Sequence, residues 1–124
     1  MLSAQTLRVC RHEASHCASM IMLGYEPDLV SRTIHDAGLT TGCVTDREDR
    51  QVVLLAPVFV DPAFGGDSDV EQAHALGNTN RASDRAWKLV NDPRFRRLTR
   101  AIEAALVKSP TLDAAAIRTI MRGV

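Results

Sequence analysis

RHEASHCASM, residues 11–20, contains His12-Glu13-Ala14-Ser15-His16, the pattern H-E-x-x-H. Its reading decides the fold, because the pattern carries chemistry only on a helix. Residues i and i+4 of a helix share a face, so His12 and His16 can offer two imidazoles to one ion. Zinc accepts neutral imidazole nitrogens at roughly 2.0–2.1 Å. Glu13, rotated off the ligand pair, can reach the ion's open position and take a proton there. The plain alternative is a helix with two ordinary surface histidines.

The flanking residues predict that helix over 3–23. Ser3 is a cap, and Leu7, Cys10, Ala14, Cys17, Ala18 and Ile21 fall near one face. Gly24 ends it, and Glu26-Pro27 forbids continuation. Outward from there, residues 29–45 are rich in β-branched side chains with turn material at Asp36-Ala37-Gly38, which predicts a hairpin with strands near 30–35 and 40–45. Residues 46–56 return to a helix led by charged residues, stopped or kinked by Pro57. A Pro- and Gly-containing loop covers 60–69, and a helix starts near Ser68. After a break at 77–80, residues 81–91 and 94–108 are helical, interrupted at Asp92-Pro93. A short last helix follows Thr111 or Ser109 as cap and ends at Gly123. The expectation is a mainly α (α+β) fold with one small β-hairpin between the first two helices. At 124 residues the chain suits one domain, 1–124.

Charge narrows the partners. Fifteen basic and fifteen acidic residues balance, so neither nucleic acid nor an anionic membrane surface is expected. With aromatics at 4%, no stacking platform for bases is visible. The longest apolar run, residues 52–60, is far short of a bilayer span. The first residues lack the apolar stretch of a signal peptide, so a cytoplasmic protein is expected. Three cysteines are no disulfide framework. Cys10 and Cys17 would stand roughly 10 Å apart along the helix axis, too far for a bridge. Cys17 adjoins His16 but diverges from it by about 100° around the helix, which argues against a ligand role.

Two histidines are not a catalytic site, since catalytic zinc takes three protein ligands. Residues 17–26 hold no further histidine. The candidates are His35, Asp67, Asp69, Glu71 and His74, and the pattern does not choose among them.

At this point the chain resembles a known family, the peptidase domain of the FtsH-type AAA+ zinc proteases. Their H-E-A-G-H-A is His-Glu-Ala-Ser-His-Cys here, at 12–17. Their Gly-containing second strand and E-D-R are matched by Gly42 and Glu48-Asp49-Arg50. Their S-N-D-L-E-R-A is matched by Ser68-Asp69-Val70-Glu71-Gln72-Ala73, and their T-L-D-G-E-E-I by residues 111–117. The resemblance runs in order along nearly the whole chain. It implies a zincin-like helical domain, Zn2+ as cofactor, His12, His16 and Asp69 as metal ligands, and Glu13 as catalytic base. Ser15 replaces the family's glycine, and the segment from Ala75 to Trp87 is much shorter. No ATPase module accompanies the domain in these 124 residues. The expected activity is therefore an ATP-independent zinc metalloendopeptidase acting on flexible or unfolded polypeptides. The substrate is held by strand addition to an exposed hairpin edge. Expected partners are the polypeptide substrate and either further copies of the chain or a separate unfoldase. The alternative is a non-catalytic metal-containing binding or regulatory domain.

The remaining residues read more plainly. His35 or His74 could stabilise an oxyanion, but each reads first as an ordinary histidine. Glu71 could orient a ligand histidine. Trp87 reads as core. Arg94, Arg96, Arg97 and Arg100 read as a solvated helix face, against a docking surface for an acidic partner.

Overall fold

The computed structural model describes residues 1–34, 38–64 and 66–124. The Ser3 hydroxyl accepts the Thr6 N–H at 3.0 Å and opens α1 (Ala4–Met22). Gly24, at φ +89°, ends it as expected. The chain continues through β1 (Pro27–Ser31), β2 (Leu39–Gly42), α2 (Arg47–Val60), α3 (Asp67–Ala75), α4 (Asn80–Val90), α5 (Pro93–Lys108), β3 (Thr111–Asp113) and α6 (Ala114–Arg122). None of the three later capping residues was foreseen as a cap. Asp46 accepts from Asp49 N–H at 2.9 Å to start α2. Asp92 accepts from Arg94 N–H at 2.8 Å, with Pro93 in the first helical turn of α5. For α6 the cap is Asp113, not Thr111 or Ser109, accepting from Ala116 N–H at 2.8 Å. Each such cap contributes about 1 kcal/mol.

The fold is mainly helical with a small antiparallel sheet, in keeping with the expected class. The sheet has three strands, however, in the order β2-β1-β3. Val30 faces Thr40 on one side and Leu112 on the other. The three-residue β3 is too short to leave a pattern in the sequence. It forms because Leu112 is buried and Thr111 Oγ1 donates to Ser31 Oγ at 3.0 Å. In consequence β1 is the central strand and offers no free edge, correcting the expectation for 30–35. The strands are also shorter than expected, and the first one's expected end at His35 lies outside the described residues.

The core forms where α1 lies against α5 and α2. Small side chains on α1 (Cys10, Ala14, Cys17, Ala18) meet Phe95, Leu98, Ile102 and Leu106 of α5. The last four recur at helical spacing, and burying each is worth about 1.5–3 kcal/mol. Two expectations fail at the margins. Leu7 is half-exposed, and Trp87 is 56% exposed rather than core, its ring edge-on to Phe59 at 5.9 Å. Among the described residues no helix is long and apolar enough to cross a membrane.

Candidate metal centre

His12, Glu13 and His16 lie on α1, where the helical spacing brings their ligand atoms within 4.8 Å of one another. The two imidazoles sit edge to face with centroids 4.9 Å apart. From α3, Asp69 Oδ2 lies 2.9 Å from His12 Nε2 and 3.1 Å from His16 Nε2. Three ligands around a tetrahedral zinc ion stand about 3.3 Å from one another. Asp69 Oδ2 thus already stands at nearly that spacing from each imidazole nitrogen, and the donor set is one that zinc accepts. His12 and His16, with Asp69 or with Glu13, are the residues that could hold a metal. Glu13 has a partner of its own on β2. The Thr40 hydroxyl on β2 lies 2.8 Å from Glu13 Oε1 and 3.1 Å from the Glu13 carbonyl. Its single proton goes to the charged oxygen, which is the stronger acceptor.

Neighbouring elements aim these groups. His16 Nδ1–H donates to the Val53 carbonyl of α2 at 2.9 Å, which turns Nε2 toward Asp69. That carbonyl lacks its usual helical donor, because residue i+4 is Pro57, which has no N–H. Pro57 was expected to stop or kink the helix after 56; it does not stop it, since α2 continues to Val60. Buried Gln51 of α2 donates to the carbonyls of Ala73 and Gly77, 3.1 Å each, and so fixes the end of α3. The other end of α3 follows a loop clamped by Arg8. Its guanidinium makes a forked pair with Asp61 at 2.8 and 2.9 Å and lies 4.8 Å over the Phe64 ring.

The electrostatics follow from this packing. Burial pushes the Glu13 carboxyl up, and the His16 and His12 charges and the Thr40 hydrogen bond offset this only in part. Burial by itself would raise Asp69, but the hydrogen bonds and charges of His12 and His16 outweigh it and hold Asp69 well below the usual carboxylate range. Burial likewise disfavours His16 imidazolium, yet Asp69, Glu13 and the Val53 carbonyl together leave its pKa raised.

Of the five candidates for a third ligand, Asp69 is the one that reaches the histidines. Asp67, Glu71 and His74 are exposed and make no hydrogen bond to them, and His35 lies outside the described residues. Cys17 is buried in the core on another face of α1. Thr40, Val53, Gln51 and Arg32 were missed. Thr40 belongs to the expected hairpin, but nothing local marks it as a partner of Glu13. Val53 acts through its backbone and leaves no side-chain signal. Arg32 lines, with His12, Glu13 and Phe64, a cavity of about 400 Å³ on one side of the centre, its Nε donating to the Leu106 carbonyl at 2.7 Å. Another cavity of about 340 Å³, which His12, Glu13, His16 and Asp69 also line, has Met20, Leu39, Val53 and Leu54 as its apolar part.

Against known proteins, no family model matches the chain and no curated protein matches it.

Proposed function

We propose that this protein is an ATP-independent zinc metalloendopeptidase of the FtsH peptidase type, acting in the cytoplasm on flexible or unfolded polypeptides. The observation that carries this reading is the convergence of His12 Nε2, His16 Nε2 and Asp69 Oδ2 at 2.9 and 3.1 Å, beside a buried carboxylate that is not one of the three. The likeness of the chain's motifs to that family supports it further.

A divalent ion held by His12, His16 and Asp69 supplies Lewis-acid polarisation of a carbonyl and activation of water. Glu13 takes the proton of the attacking water and returns it to the leaving amine. Burial raises its proton affinity, the direction that favours taking up the proton. Thr40 holds the Glu13 carboxylate in one orientation. Strand β2, on the outside of the sheet, lines the cavity of about 340 Å³ through Leu39 and Thr40. An extended peptide adding to that edge would pass the centre with its backbone hydrogen-bonded and its sequence little constrained.

The test combines metal content and cleavage of an unfolded polypeptide, with wild type beside His16→Ala, Asp69→Ala and Glu13→Gln. Wild type should hold one zinc per chain, both ligand variants should lose it, and Glu13→Gln should keep it while cleavage falls by about 10²–10⁴-fold. Failure of wild type to take up zinc would overturn the reading. Zinc uptake without cleavage would assign the non-catalytic binding role instead.

A further inference from the structure

A second cavity, of about 380 Å³, lies between α1, α2, α4 and α5 and shares no lining residue with the two that flank the candidate metal centre. Its apolar wall is aromatic: Phe95 is buried beneath it, and Phe59 and the half-exposed Trp87 stand beside it. Its rim is cationic. Arg96 and Arg100, one helical turn apart on α5, share that face with Arg11 of α1. Three guanidinium groups meet one carboxylate, Glu103, which is paired with Arg11 at 3.3 Å. Arg96 donates only to the neutral Asn91 side chain, at 3.1 Å, and Arg100 forms no ion pair among the described residues. The structure thus sorts the basic run 94–100: two of its four arginines serve one cavity.

Two arginines on one rim without a carboxylate partner among the described residues call for an anion, and arginine is the side chain suited to carboxylate and phosphate. The volume is that of a small-molecule site rather than a flat protein face.

We propose that this cavity binds a small organic anion carrying a flat apolar ring. Its carboxylate or phosphate is held by Arg96 and Arg100, and its ring lies against Trp87.

Trp87 is the chain's one tryptophan, so intrinsic fluorescence reports on this cavity alone. Benzoate and phenyl phosphate are titrated against the full chain, with benzyl alcohol as a ring without charge and inorganic phosphate as a charge without a ring. A saturable change is expected with at least one of the two aromatic anions, and the tighter of them names the head group. Arg96→Ala/Arg100→Ala should bind about tenfold or more weakly, as for loss of a charge-assisted hydrogen bond. Circular dichroism confirms that the variant folds. No saturable change with either anion would overturn the proposal, as would affinity unchanged in the double arginine variant. So would inorganic phosphate binding as tightly as phenyl phosphate. Binding of a hexaglutamate peptide alone would overturn it in favour of an acidic chain.

Discussion

Pro57 stands four residues after Val53 in α2, and the Val53 carbonyl, deprived by that proline of its helical donor, accepts the His16 Nδ1–H at 2.9 Å. A residue that breaks helices in most settings here frees an acceptor for a histidine of the candidate metal centre. Pro57→Ala would return a competing N–H to the same carbonyl. The helix should be no less stable, since alanine is the better helix former. Zinc affinity should fall by up to about 10-fold, the low end for loss of an outer partner to a ligand histidine. Thermal unfolding of ion-free protein beside a zinc titration separates the two effects, and unchanged zinc affinity would detach His16 from Pro57.

Gly38 is the packing surface of Glu13. A Cβ there would stand 2.6 Å from Glu13 Cγ, 2.9 Å from Val9 Cγ1 and 3.0 Å from the Ser31 carbonyl oxygen, and the backbone sits at φ +88°. Gly38→Ala should cost about 1–3 kcal/mol of stability from the left-handed conformation, with more from the contacts. Zinc should be retained, because Asp69 and the histidine rings are untouched, while peptide cleavage drops by at least about tenfold as the base is displaced. Cleavage at the wild-type rate would show that Glu13 tolerates the shift.

The three thiols should react in two classes. Cys10 and Cys17 are buried and Cys43 is exposed. Burial, with some help from the Glu13 charge, pushes the Cys17 thiol up to about 12, and burial pushes Cys10 up as well. At about pH 8 only roughly one Cys17 in 10⁴ is a thiolate, the form that alkylates. Iodoacetamide should therefore modify one cysteine of the folded protein quickly and the other two only after denaturation, as peptide mass mapping would show. Rapid modification of Cys17 in the folded state would contradict the core described above.

Acid should weaken the contact between α2 and α4. Burial by itself would raise the Asp49 carboxyl, but the Tyr25 hydroxyl and the Arg85 guanidinium, each at 2.6 Å, hold it below the ordinary carboxylate range. A group with a depressed folded pKa stabilises the fold above its unfolded value, near 3.9, and loses that contribution as pH falls through the lower folded value. Asp49→Asn should melt below wild type at neutral pH, and the gap should close below about pH 4. A gap that persists at low pH would mean that packing, not charge, sets the contribution of Asp49.

What the sequence determined by itself was local. Helical spacing put His12 and His16 on one face of α1, Ser3 and Gly24 marked its ends, and Asp92-Pro93 marked the start of α5, because caps and periodicity act over a turn or two of chain. The tertiary structure decided the rest. Residue patterns left His35, Asp67, Asp69, Glu71 and His74 equivalent, and only the family resemblance pointed to Asp69; with α3 docked through Gln51, Asp69 meets the histidines while Asp67, Glu71 and His74 do not. The same docking of distant segments made β3 a strand through Leu112, exposed Trp87 and gave Glu13 its partner in Thr40. These contacts join residues 27 to 82 positions apart, and their geometry depends on how whole elements pack, which no short window of sequence records.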